Sequence, residues 1–95
     1  MFRLILNNMG IVLADSNDLV RAGLRSIISA QTDLPIVGEA TNSEELFEQI
    51  KSFKPSIVIL DPTSDGFTID VISKIQKLKL DLSFIAITPE QNAQI

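Results

Sequence analysis

The sequence predicts an α/β domain built on a doubly wound parallel sheet. Three short apolar runs, Ile11-Val12-Leu13-Ala14, Ile57-Val58-Ile59-Leu60 and Phe84-Ile85-Ala86-Ile87, have the length and bounds of buried strands. Each ends on a residue able to do chemistry: Asp15, Asp61 and Thr88. The stretches between the runs carry apolar residues at helical spacing, and neither a repeat nor a low-complexity linker interrupts the alternation.

After the first run, Ser16-Asn17-Asp18 offers capping side chains, and Val20, Leu24, Ile27 and Ile28 supply the inner face of a helix ending near Ala30. Gln31-Thr32-Asp33-Leu34-Pro35 closes it. Pro35-Ile36-Val37-Gly38-Glu39-Ala40 is shorter and less uniformly apolar, which suits an edge strand, because proline cannot donate to a central ladder. Thr41-Asn42-Ser43 followed by Glu44 and Glu45 marks the next helix start, where acids meet the positive end of the helix. Leu46, Phe47, Ile50 and Phe53 form its buried stripe, and Lys54-Pro55 stops it. A third helix presents Ile69, Ile72, Ile75 and Leu78 inward, and Leu80-Asp81-Leu82-Ser83 leads into the last strand. The five phenylalanines read as core and edge packing.

Composition restricts the chemistry. The 95 residues suffice for one small domain with one core. Histidine is absent, which excludes imidazole as base, proton shuttle or metal ligand. Cysteine is absent too, so disulfides, thiolate nucleophiles, iron–sulfur clusters and thiolate zinc are excluded, and any metal must be a hard cation held by oxygen. Twelve acids against eight bases give a net charge of −4, a poor match to nucleic acid or an anionic membrane. Lys74, Lys77 and Lys79 come nearest to a basic cluster and read as a solvated face. Met1–Asn8 is too short an apolar stretch for a membrane span or signal core, so the expected location is the cytoplasm. Met9 is a natural start, leaving residues 1–8 as a cloning remnant or a natural extension and residues 9–95 as the domain.

Right-handed crossovers make the first strand central, flanked by strands 2 and 3, in the order 2-1-3-4. Adjacent strands lie about 4.8 Å apart, so Asp15 and Asp61 share one crevice at the switch point where open α/β sheets bind ligands. Two carboxylates that close repel unless a cation or proton intervenes, and with oxygen ligands alone Mg²⁺ retaining several waters is the natural occupant.

The stretches Leu13–Leu24, Ile36–Ala40, Ile57–Asp61 and Ile85–Thr88 resemble the receiver domain of two-component response regulators, especially NarL/LuxR-type transcription regulators. The resemblance implies a flavodoxin-like (CheY-like) fold and a signalling module, not an enzyme. It implies that Asp61 accepts a phosphoryl group from a histidine kinase. Mg²⁺ is then held by Asp15, Asp61 and the main-chain carbonyl of Thr63, and Thr88 is the switch hydroxyl. The output is DNA binding through a C-terminal domain absent from this chain.

Three departures from the family pattern accompany the resemblance. Ser16 replaces the second acid ending strand 1, which lowers the expected metal affinity and leaves Ser16 and Asp18 as neighbours of the metal site. Pro62-Thr63-Ser64-Asp65-Gly66 replaces the usual Met-Pro-Gly segment, with one residue less before helix 3. The sequence stops at Ile95, so a fold lacking the fifth strand, the fifth helix and the family's later lysine is expected. Strand 4 then forms an open apolar edge, inviting Phe2–Leu6 or a second copy to pair with it. Two other functions fit the residues: a receiver-like interaction module that works without phosphate, and, more distantly, a phosphohydrolase resembling the haloacid dehalogenase superfamily. Against the latter, Thr63 stands where that superfamily has a second aspartate.

Overall fold

In the computed structural model of this chain, residues 10–68, 70–78 and 82–87 are described. They form β1 (Ile11–Ala14), α1 (Asp18–Gln31), β2 (Ile36–Ala40), α2 (Ser43–Phe53), β3 (Ile57–Leu60), α3 (Asp70–Gln76) and β4 (Ser83–Ala86). The four strands pair in parallel in the order β2-β1-β3-β4, as the alternation predicts. β1 and β3 are in register, Ile11 opposite Ile57 through Ala14 opposite Leu60, so Asp15 and Asp61 leave neighbouring strands at the same level. A register shift between Ile11 and Val12 bends the β1–β2 pairing.

Alternation along the strands sends side chains to two unlike faces. Val12, Ala14, Ala40, Val58 and Leu60 point to one face, where Leu46 and Ile50 of α2 and Val71 and Ile75 of α3 complete the core with Phe67. Two helices side by side close that face. On the other, Ile11 and Leu13 are buried, yet α1 itself buries no residue fully. A helix is about 10 Å across, while four strands span about 14 Å, so α1 packed over β1 leaves the outer strands open.

Several element readings need correction on this account. Val20 and Ile27 of the predicted α1 stripe are exposed, and Leu24 and Ile28 are only half-buried. Phe53, at the tip of α2, is likewise exposed. In α3 the side chains shown buried are Val71 and Ile75. Leu78 packs partly, Ile69 lies outside the described residues, and so does the Ile72 side chain. The last strand starts one residue early, at Ser83, and Ile87 still donates its N–H to the Leu60 carbonyl at 2.9 Å. Residues 1–9, including Phe2–Leu6, also lie outside the described residues, as do Lys79, Leu80 and Asp81.

The helix ends follow from their sequences. The Asn17 side chain accepts from the N–H groups of Leu19 and Val20, capping α1. Asn42 accepts from Glu45 N–H, and the Glu45 carboxylate reaches back to the N–H and hydroxyl of Thr41, a reciprocal closure of the α2 start. Those hydrogen bonds, the backbone one foremost, hold the Glu45 carboxyl below the ordinary carboxylate range. Lys54 ends α2 in the left-handed region at φ 48°.

Candidate functional site

The carboxyl ends of β1 and β3 bring Asp15 and Asp61 to the same pocket, of about 220 Å³, with Ala14, Val20, Leu24, Ile59 and Ile87 as the other lining residues. Strand pairing carries on past Leu60, where Asp61 donates its N–H to the Ala14 carbonyl at 3.3 Å. Asp15 is 5% exposed and Asp61 half-buried. Among the described residues no basic side chain forms an ion pair with either. Two carboxylates at one pocket without an ion-pair partner suit a small cation.

Each carboxylate is oriented by its own turn. Asp15 Oδ1 accepts from Asn17 N–H at 2.8 Å and from Ser64 Oγ at 3.3 Å. Asp61 Oδ1 accepts from Thr63 N–H at 2.8 Å and Thr63 Oγ1 at 2.6 Å, closing an Asx turn directly after the strand. Both described bonds to the Asp61 side chain thus fall on one oxygen. The turn then continues through Gly66, whose φ of 89° suits glycine and whose carbonyl accepts from Ser43 N–H at 2.9 Å. A Cβ at Gly66 would stand 3.2 Å from the Thr41 carbonyl oxygen.

Of the sequence-derived candidates, Asp15 and Asp61 meet here, Thr63 bonds to Asp61 through its N–H and hydroxyl rather than its carbonyl, and Ser16 bonds to Ser64 beside Asp15. Asp18 does not reach back toward Asp15. It is exposed and engaged by Arg21 across one helical turn. Thr88 lies outside the described residues.

Two residues that the sequence did not single out for the site complete its frame. Ser64 was legible only as part of a turn. Arg21, with only 11% of its side chain exposed, donates Nη1 to the Asp15 carbonyl at 2.6 Å and Nε to Glu39 on β2 at 3.0 Å. Arg25 adds a second contact to Glu39 at 2.5 Å. Burial would raise the Glu39 carboxyl, but the two guanidinium groups outweigh it and hold the group below its usual range. Arg21 is opposed by burial in the same way, and its bonds to Asp18 and Glu39 push it further up.

The donor set fits Mg²⁺ in kind: oxygen atoms only, with two carboxylates from adjacent strands. It is also lean, because among the described residues no third acid joins Asp15 and Asp61. A neutral hydroxyl pair, Ser16 and Ser64, stands beside them.

Comparison with known proteins agrees with this arrangement. Residues 11–95 match the model of the response regulator receiver domain. The uncharacterized transcriptional regulatory protein YhcZ of Bacillus subtilis is 37% identical over 83 residues, covering 84% of this chain and 38% of YhcZ. The nitrate/nitrite response regulator protein NarL of Escherichia coli is 31% identical over 71 residues, covering 74% of this chain and 33% of NarL. Among solved structures, a DNA-binding response regulator of the LuxR family from Staphylococcus aureus superposes with a TM-score of 0.77 at 25% identity, over 84% of this chain and 68% of that one. The chain thus spans well under half of the curated relatives' length. Domains of this kind generally bind Mg²⁺ at their phosphorylation site, and those of transcription regulators are generally not enzymes. The phosphohydrolase and phosphate-independent readings are not favoured. This chain belongs to the response regulator receiver family and is a receiver domain of the NarL/LuxR type.

Proposed function

We propose that Asp61 is the phosphoacceptor of this receiver. The observation that supports it best is the pairing of Asp61 with the buried Asp15 at the ends of two registered strands, in one pocket. Thr63 occupies Oδ1 of Asp61 with two hydrogen bonds, orienting the carboxylate so that its other oxygen is the one offered to a donor. Attack of that oxygen on the phosphorus of a phosphohistidine forms the acyl phosphate P–O bond. The P–N bond breaks, and the departing imidazole nitrogen keeps the electron pair and takes up a proton.

Asp15, Asp61 and the Thr63 carbonyl are the residues that would hold Mg²⁺. The ion, when bound, supplies positive charge that offsets the oxygens of the phosphoryl group. Asp15 contributes a charge held in place by Asn17 N–H and Ser64 Oγ. The phosphoryl group adds roughly −1.5 to −2 charge where two carboxylates already stand, and Thr88 is the hydroxyl we assign to answer it.

The partner that supplies phosphate is a histidine kinase. The output is transcription control through a DNA-binding domain joined beyond residue 95, by analogy with the DNA-binding relative from Staphylococcus aureus. Residues 9–95 are the receiver unit. Among the described residues no helix is long and apolar enough to cross a membrane, and we assign the protein to the cytoplasm. The exposed β4 side, with Ile85 and Ile87, is the surface we assign to self-association.

The test is incubation of the chain with a small phosphoryl donor and Mg²⁺, followed by intact mass. One added phosphoryl group on the wild type and none on Asp61→Asn is the expected result. Equal incorporation in both would contradict the assignment.

A further inference from the structure

Ser64 Oγ lies 2.9 Å from Ser16 N, 2.8 Å from Ser16 Oγ and 3.3 Å from Asp15 Oδ1. A serine hydroxyl has one proton and two lone pairs, a backbone N–H only donates, and an ionised carboxylate only accepts. With Asp15 ionised, one assignment satisfies all three contacts. Ser64 gives its proton to Asp15, receives the Ser16 N–H on one lone pair, and receives the Ser16 hydroxyl proton on the other. The Ser64 hydroxyl is then saturated.

The segment that carries it is fixed as well. Ser64 N–H donates to the Asp61 carbonyl at 3.1 Å, Phe67 N–H donates to the Ser64 carbonyl at 3.2 Å, and the Phe67 ring is anchored in the core. Moving the turn that bears Asp61 and Thr63 away from the turn that bears Asp15 therefore breaks the Ser64 bonds.

We infer that Ser64 and Ser16 form an uncharged latch that holds the two turns of the site together without a cation. An acid at position 16 would add a third negative charge beside Asp15 and Asp61, and closing the turns would then cost repulsion that a cation or a proton must offset. The hydroxyl pair exchanges some cation affinity for a site that is already assembled. Ser64 and Ser16 are thus positioning residues. The cation part of the inference rests on the function proposed above, and the latch itself does not.

The test is amide hydrogen exchange on the full chain, with and without Mg²⁺, in the wild type, Ser64→Ala and Ser16→Asp. The wild type should protect the position-16 amide without Mg²⁺, and added Mg²⁺ should change it little. Ser64→Ala should exchange that amide roughly five- to tenfold faster, as loss of one hydrogen bond implies, while the Val58 and Leu60 amides stay protected. Ser16→Asp should lose protection of the Asp61–Phe67 turn without Mg²⁺ and recover it on titration. Its Mg²⁺ affinity should exceed that of the wild type.

Unchanged exchange at position 16 in Ser64→Ala overturns the latch. A Ser16→Asp turn that is as protected without Mg²⁺ as the wild type overturns the charge argument for position 16, an outcome readable even if Ser64→Ala fails to fold. Exchange needs no phosphoryl chemistry, so a failure of Asp61 to accept phosphate leaves this result standing, and the reverse is equally true.

Discussion

At Asp61 one oxygen carries both bonds from Thr63, and this asymmetry separates the residue's chemistry from its structural role. Asn in its place keeps an oxygen to accept those bonds and removes a charge standing beside Asp15. Asp61→Asn should therefore unfold within about 0.5 kcal/mol of the wild type in urea while losing phosphoryl incorporation. Arg21 is the opposite case, a residue with structural reach and no part in transfer. It binds the Asp15 carbonyl, Asp18 and Glu39 at once. Arg21→Ala leaves the Asp15 carbonyl and a half-buried carboxylate short of partners. It should cost about 1–3 kcal/mol by the same urea measurement. Asp15 and Asp61 were legible in the sequence because each ends an apolar strand. Ser64 was not, because a hydroxyl in a turn has no period to reveal it and its partner Ser16 lies 48 positions away. The Asp18–Arg21 spacing is a helical signal, but nothing local announces that the same guanidinium crosses to Glu39.

Between elements, β2 and α1 are joined by Glu39 with Arg21 and Arg25. Its carboxyl lies below the ordinary value in the folded state, so its contribution is present above about pH 4.5 and fades as pH falls through the lower folded value. Glu39→Gln should accordingly lose more stability relative to the wild type at pH 7 than at pH 3, and thermal unfolding at the two pH values checks this. A gap that widened toward acid would contradict the sign. β2 meets α2 more tightly still. A Cβ at Gly38 would lie 2.3 Å from Gln49 Oε1 and 3.1 Å from the Phe53 ring, while Gln49 Nε2 donates to the Glu39 carbonyl at 2.9 Å. Gly38→Ala forces Gln49 to move and should cost about 1–3 kcal/mol in chemical denaturation. Helix starts were readable from Asn17 and Asn42, because caps are local chemistry. The extent of the α1 buried stripe was not, because periodicity says which face is apolar and not how much sheet lies beneath it.

Over the whole molecule the two faces of the sheet differ in kind. α2 and α3 seal one face around Leu46, Ile50, Leu60 and Ile75, all essentially inaccessible. The α1 face leaves Ile27 60% exposed and Ile85 48% exposed. Leu46→Ala should therefore cost about 2–5 kcal/mol, whereas Ile27→Ser should stay within about 0.5 kcal/mol, both read from urea midpoints. The strand order 2-1-3-4 followed from the alternation of elements and the handedness of crossovers, which act along the chain and need no tertiary detail. That order sets the two acids side by side, and everything proposed for the site descends from it.

The most direct check locates the modification. After reaction with a phosphoryl donor and Mg²⁺, borohydride reduction converts an aspartyl phosphate to homoserine, and peptide mass spectrometry identifies which aspartate was lost. Homoserine at position 61 and nowhere else is the predicted result. Homoserine at position 15 or 65, with Asp61 intact, would contradict the account.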